Sequence, residues 1–130
     1  MDHVLIKAAQ DALKNAYVKY SNFKVGAAIR LKDGSIIQGV NIENASYGLT
    51  NCAERTALYT AYAAGYTKED ITEMVITTEQ DHLISPCGAC RQVMSELMLK
   101  DVQVHMVYGE NIKTVLNKEL LPWAFSEDDL

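Results

Sequence analysis

From Lys24 onward the hydrophobic pattern switches repeatedly between a period of two and a helical period, and that alternation leaves few folds open. Val25, Ala27, Ile29 and Leu31 alternate with Gly26, Ala28 and Arg30, which predicts a strand. Asp33-Gly34 is a strong hairpin dipeptide, and Ser35 to Ile42 returns as a second strand. A helix is predicted from Cys52 to about Ala64, stopped by Gly65, and Ile71 to Thr78, rich in Ile, Val and Thr, reads as a third strand. Ser85-Pro86 is expected to open another helix, with Ser as cap and Pro at the first position, and Val93, Met94, Leu97 and Met98 form its apolar stripe. A fourth strand alternates Val102, Val104, Met106 and Tyr108, and Ile112 to Leu116 supplies a short fifth. An amphipathic helix, Val4 to Tyr17, precedes this succession, and a tail with a short helix before Pro122 follows it. Strand, helix, strand, helix, strand implies parallel, right-handed crossovers and therefore an α/β fold. Both helices that begin near cysteines then start at the carboxyl edge of neighbouring strands, where open α/β sheets place their ligands.

At 130 residues the chain has the length of one domain, expected to span residues 1–130, without internal repeat or linker. With 48% hydrophobic and 22% charged residues, disordered and low-complexity classes are excluded. A net charge of −5 argues against a nucleic-acid partner, which calls for a basic patch. The longest mostly apolar stretch, around Ala57 to Ala64, is too short to span a bilayer. No charged leader followed by an apolar run is visible, so no membrane partner and a cytoplasmic location are expected.

The three cysteines are Cys52, Cys87 and Cys90, an odd number that disulfides cannot consume. Cys87 and Cys90 lie three apart on one helical face, and Cys52 opens the other helix at the same edge. Three thiolates around one ion leave a fourth position for water, the arrangement of a catalytic zinc. A helix N-terminus also favours thiolate over thiol. Two bland readings compete. Free cysteines are commonly small buried hydrophobes, and a C-x-x-C pair also serves redox chemistry, although that leaves Cys52 unexplained. A closed structural zinc module needs a fourth ligand, for which His82 is the candidate. Glu54 is the third helical residue if Asn51 is the cap, which makes a capping box. Its place two residues after a proposed ligand gives it another role, since a carboxylate beside an activated water can take and return a proton.

Cys52-Ala53-Glu54 together with Pro86-Cys87-Gly88-Ala89-Cys90 resembles the zinc-dependent cytidine deaminase family. Tyr20-Ser21-Asn22-Phe23, Val25 to Ala28, Asn41 to Ala45, Cys52 to Ala57 and Ser85 to Met94 share the likeness, which covers roughly residues 13 to 130 and is closest to the small homotetrameric, three-cysteine class. The resemblance implies a three-layer α/β/α fold with a mixed five-stranded sheet, one Zn2+ per chain, and hydrolytic deamination of cytidine and deoxycytidine in pyrimidine salvage. It also implies that Phe23 packs on the base, that Asn41 and Glu43 meet the ribose, that Ala53 lies in the substrate site, and that Ala45, Tyr47 and Phe125 complete sites in neighbouring subunits. A deaminase of another cytosine-containing nucleoside, such as an antibiotic, is the alternative. Trp123 departs from the family, which commonly carries a small or polar residue between Leu-Leu-Pro and the final Phe.

Three thiolates on Zn2+ sum to −1, and an over-anionic zinc is a weaker Lewis acid. Arg55 and Arg91 directly follow the two motifs, and one or both are expected to donate hydrogen bonds to the thiolates as second partners of the metal's ligands. No glycine-rich phosphate loop or Lys/Arg cluster accompanies the motifs, so a free nucleoside is the expected substrate.

Overall fold

The computed structural model describes residues 2–130. Helix α1 (His3–Ala12) begins where Asp2 Oδ1 accepts the Leu5 N–H at 3.0 Å, a side-chain cap for an otherwise unpaired donor. It ends before the predicted Tyr17. Residues Leu13–Asn15 tighten into a 3-10 turn, and the Tyr17 N–H donates instead to the Asn41 carbonyl at 3.0 Å. Strand-like pairing with the second hairpin strand overrides the helical period there.

Strands β1 (Val25–Leu31) and β2 (Ile36–Val40) form the expected antiparallel hairpin around Asp33-Gly34. Gly34 takes φ +91°, a conformation that suits glycine. Helix α2 (Ala53–Ala63) leads to β3 (Ile71–Thr78), and α3 (Gly88–Leu97) leads to β4 (Gln103–Tyr108) and β5 (Asn111–Leu116). The sheet order is β2-β1-β3-β4-β5. Only β3 and β4 pair in parallel, and the other neighbours are antiparallel, so the sheet is mixed. The predicted succession made β2 and β3 neighbours, but β1 lies between them. The more apolar strand of the hairpin takes the interior position, with Ala27, Ala28 and Ile29 fully buried, and the more exposed β2 takes the edge.

Three layers result. On one face α1 packs Leu5, Ile6 and Ala9 against Ala28, Val75 and Val107. On the other, α2 and α3 bring Leu58, Ala61, Cys90 and Met94 onto Ile29, Met74 and Ile76. Helix and sheet pack closely at two glycines. A Cβ on Gly26 would lie 2.3 Å from the Ala9 carbonyl oxygen of α1, and one on Gly39 would lie 2.3 Å from the Ala53 carbonyl oxygen of α2. Buried Asn117 finishes the layer by donating from Nδ2 to the Met94 carbonyl at 2.9 Å and the Leu99 carbonyl at 3.2 Å, which ties the end of α3 to the segment after β5.

Helix α3 starts later than Ser85-Pro86 suggested. Cys87 is its cap residue and Gly88 its first helical residue. The Pro86 carbonyl and the Ser85 hydroxyl are instead held by Arg91.

Candidate active site

Helices α2 and α3 both begin at the carboxyl ends of the strands that precede them, α2 after β2 and α3 after β3. Those strands point the same way because each is antiparallel to β1. The three sulfurs of Cys52, Cys87 and Cys90 therefore meet, all within 4.8 Å of one another, with Cys52 Sγ and Cys87 Sγ 3.7 Å apart. At a Zn–S distance of about 2.3 Å, two sulfurs of a tetrahedral zinc site stand about 3.8 Å apart, so the spacing fits one zinc ion. Cys90 is buried, Cys52 is half-buried and Cys87 is exposed, so the cluster opens to solvent on one side.

Arg55 Nη2 donates to Cys52 Sγ at 3.3 Å, as its position in the sequence suggested. Its Nε is buried without a hydrogen-bond partner in the protein. A cation at the N-terminus of a helix opposes the helix dipole, and the sulfur contact supplies the reason for it. The Cys52 thiol is pulled down to about 5, first by the hydrogen bond from Cys90 and further by Arg55. Cys90, as donor to that thiolate and as a buried group, is pushed up. The Arg55 guanidinium thus stands beside the thiol whose deprotonation its charge favours.

Glu54 is 4% exposed, and burial raises its carboxyl to about 7. The capping-box reading fails, because Cys52 rather than Asn51 is the cap and no side-chain capping bond forms. Asn51 donates from Nδ2 to Thr56 Oγ1 at 3.1 Å instead. Glu54 lies two residues beyond the cap, buried, and its charge is felt by Cys52 and Cys90.

Of the two arginines only Arg55 reaches the sulfurs, and Arg91 does not. Its three nitrogens donate to the Pro86 carbonyl, the Leu120 carbonyl and Ser85 Oγ, because the residue after Cys90 projects along α3 toward the preceding loop and the C-terminal segment. His82 is exposed, bonds Asp81 Oδ1 through Nδ1 at 3.0 Å, and is not part of the thiol cluster. A closed four-ligand module therefore lacks its fourth residue among the described residues.

The other predicted residues form two groups. Asn41 and Glu43 follow β2 and grip the loop that carries Phe23. Asn41 Oδ1 accepts the Val25 N–H at 3.0 Å, and Nδ2 donates to the Phe23 carbonyl at 2.7 Å. Glu43 Oε1 accepts the Tyr20 and Ser21 N–H groups at 3.1 and 3.0 Å, and Oε2 accepts the Ser21 hydroxyl. These bonds, led by the one from Ser21, hold the Glu43 carboxyl below its usual range. Glu43 is buried rather than solvated. Ala53 is fully buried at the start of α2. The second group, Ala45, Tyr47 and Phe125, is exposed in the single chain, Tyr47 at 78% and Phe125 at 58%. Phe125 borders a groove of about 680 Å3 at the amino end of β3, whose lining includes none of the three cysteines.

No local signal in the sequence gives Ser21 a role of its own. It lies next to Asn22 at φ +58°, and an asparagine beside a serine signals the turn but not the side chain that holds it. Ser85, expected as a helix cap, accepts from Arg91 Nη2 instead.

Residues 1–106 match the family described as the cytidine and deoxycytidylate deaminase zinc-binding region. This chain belongs to that deaminase family. It is 50% identical over 129 residues to the cytidine deaminase of Halalkalibacterium halodurans, an alignment covering 98% of this chain and 96% of the relative. A crystal structure of cytidine deaminase from Burkholderia pseudomallei superposes with a TM-score of 0.92 at 48% identity, over 96% of this chain and 99% of that one. The blasticidin-S deaminase of Bacillus cereus is a more distant relative, 30% identical over 133 residues, which cover 98% of this chain and 94% of that one. Zinc is accordingly the metal of this deaminase, and the three-layer fold with its mixed sheet is that of its relatives.

Proposed function

We propose that this deaminase converts cytidine and deoxycytidine to uridine and deoxyuridine by hydrolysis, releasing ammonia. The observation that carries the reading is the convergence of Cys52, Cys87 and Cys90 at an open sheet edge with a buried carboxyl group, Glu54, beside them. The three thiolates hold the zinc, and when bound it supplies the Lewis acidity that makes a water nucleophilic at neutral pH. Glu54 takes a proton from the attacking water, delivers it to ring nitrogen N3, and then assists the departing amino group. Arg55 draws negative charge from Cys52 and so keeps the cluster from over-neutralising its metal.

Phe23 packs on the base, and Ala53 lines the site beside Cys52. Asn41 and Glu43 each keep a hydrogen-bonding position free after gripping the Phe23 loop, the second Nδ2 hydrogen and a lone pair on Oε2, and these suit ribose hydroxyls. The exposure of Tyr47, Leu49, Trp123 and Phe125 supports a homotetramer in which Ala45, Tyr47 and Phe125 complete the site of a neighbour. The enzyme then works as a one-domain protein in cytoplasmic pyrimidine salvage. No helix is long and apolar enough to cross a membrane among the described residues.

Ultraviolet absorbance during incubation with cytidine or deoxycytidine tests the reading. Loss of the cytosine band with ammonia release is expected, and no change with either substrate overturns it. The blasticidin-S relative justifies a third arm with that antibiotic. At 30% against 50% identity the balance favours the plain nucleoside, so turnover of the antibiotic alone reverses the assignment.

A further inference from the structure

Arg91 makes three hydrogen bonds to two separate segments. Nε donates to the Pro86 carbonyl at 2.7 Å, Nη2 to Ser85 Oγ at 3.0 Å and Nη1 to the Leu120 carbonyl at 2.8 Å. Ser85 and Pro86 lead directly into Cys87, the one exposed thiol of the three. Leu120 opens the C-terminal segment that carries Phe125. One residue further along α3, Gln92 Nε2 donates to the Phe125 carbonyl at 2.9 Å. The first turn of α3 thus grips both ends of the stretch from 120 to 125.

Within that stretch Trp123 adopts φ +59° and is fully exposed. A bulky residue in the left-handed region is strained by about 1–3 kcal/mol, and such a conformation persists only where its surroundings over-determine it. The anchors at Leu120 and Phe125 are those surroundings. The guanidinium suits the task, because its planar fork of donors fixes several acceptors relative to one another, which a lysine ammonium does not.

We propose that Arg91 is a positioning residue that locks the loop leading into Cys87 and the C-terminal segment to each other, so that one side chain sets the placement of both the Cys87 sulfur and the Phe125 ring. The proposal rests on the reading of Cys87 as a zinc ligand and of Phe125 as part of a nucleoside site. In a tetramer of shared sites, it ties the metal centre of one subunit to the aromatic wall of its neighbour.

The test compares R91A and R91K with the wild-type enzyme by two independent readouts. The first is zinc retention against a chromophoric chelator, with the thiolate-to-metal absorption of the cobalt-substituted enzyme as its spectroscopic counterpart. Outer partners of zinc ligands typically account for about 10–100-fold in metal affinity, and a loss of about tenfold is expected for R91A. The second is the split between KM and kcat for cytidine at saturating zinc. KM is expected to rise severalfold while kcat stays within about twofold, the signature of a displaced binding wall. R91K is expected to show both defects.

Wild-type values for both readouts in R91A overturn the proposal, whatever happens to the melting temperature. Movement of only one overturns the coupling. Should R91A fail to fold, S85A and Q92A divide the task. S85A is expected to weaken zinc alone and Q92A to raise KM alone, and failure of either shift overturns the corresponding half. A wild-type enzyme that neither holds zinc nor deaminates cytidine instead defeats the functional reading, a distinct result.

Discussion

Gly26 and Gly39 lie on opposite faces of the sheet and meet the same obstruction, a helix carbonyl oxygen 2.3 Å from where a Cβ would stand. Ordinary contact begins near 3.4 Å, so in G39A the helix must retreat by about 1 Å. The listener on that face is α2 at Ala53, between Cys52 and Glu54, and the Ala57 nitrogen at 2.5 Å blocks escape along the helix. Both obstructions are backbone, so no rotamer change relieves them. Overpacking of this kind costs about 3 kcal/mol at its upper range, which at about 4 °C per kcal/mol for a chain of this size lowers the melting temperature by about 12 °C. A displacement of about 1 Å at a reacting centre costs about 100-fold in rate. In G26A the displaced helix is α1, which carries no site residue, so a comparable loss of stability should leave kcat near wild type. Thermal unfolding and steady-state deamination of both zinc-saturated variants, assayed well below their transitions, decide the matter. If G39A loses stability and keeps its full kcat, or if G26A loses activity as severely, α2 does not set the geometry of the site.

Glu54→Gln should retain zinc in a metal analysis while turnover falls by about 100- to 10,000-fold, the usual contribution of a positioned general acid or base; a variant that stays fully active rejects the proton-shuttle role. Arg55→Gln should also keep its metal but turn over more slowly, because the Cys52 thiolate loses its charged donor. Unchanged kinetics sink that account. Asp2 is held below its ordinary carboxylate range, first by hydrogen bonding to Arg30 and then by the Leu5 N–H. Its stabilising effect is therefore complete above the unfolded value near 3.8 and is lost as the pH falls through the lower folded value. Denaturant midpoints of wild type should decline over that acid window more steeply than those of D2N, and parallel curves contradict the assignment.

The strands and the thiol cluster were legible because their signals are local. Asp33-Gly34 specifies its own turn, period-two runs mark strands whatever their neighbours, and C-x-x-C at a helix start aims both sulfurs one way. What escaped the sequence depends on long-range competition. Insertion of β1 between β2 and β3 is a choice of which hairpin strand is buried, and no local pattern records it. Pro86 is a good first helical residue by propensity, yet its carbonyl and the Ser85 hydroxyl are claimed by Arg91. Proximity to Cys90 in sequence suggested that Arg91 faces the thiols, but the Leu120 carbonyl that turns it away arrives from a distant part of the chain. Asn41 and Glu43 were placed correctly at the end of β2, while their grip on the Phe23 loop required knowing that residues 20–25 fold back over them.

The position of β1 also bears on how the enzyme acquires its metal. Cys87 and Cys90 are neighbours in the chain, so an unfolded polypeptide already offers a two-sulfur chelate. In the folded chain Cys52 reaches them through β1, which pairs with β3 across 40 to 53 residues of sequence (Leu31 with Ile71, Val25 with Thr78). Such non-local pairing forms slowly. Zinc present during refolding therefore meets a partial binding site first, and the step that completes its coordination is the same step that closes the centre of the sheet.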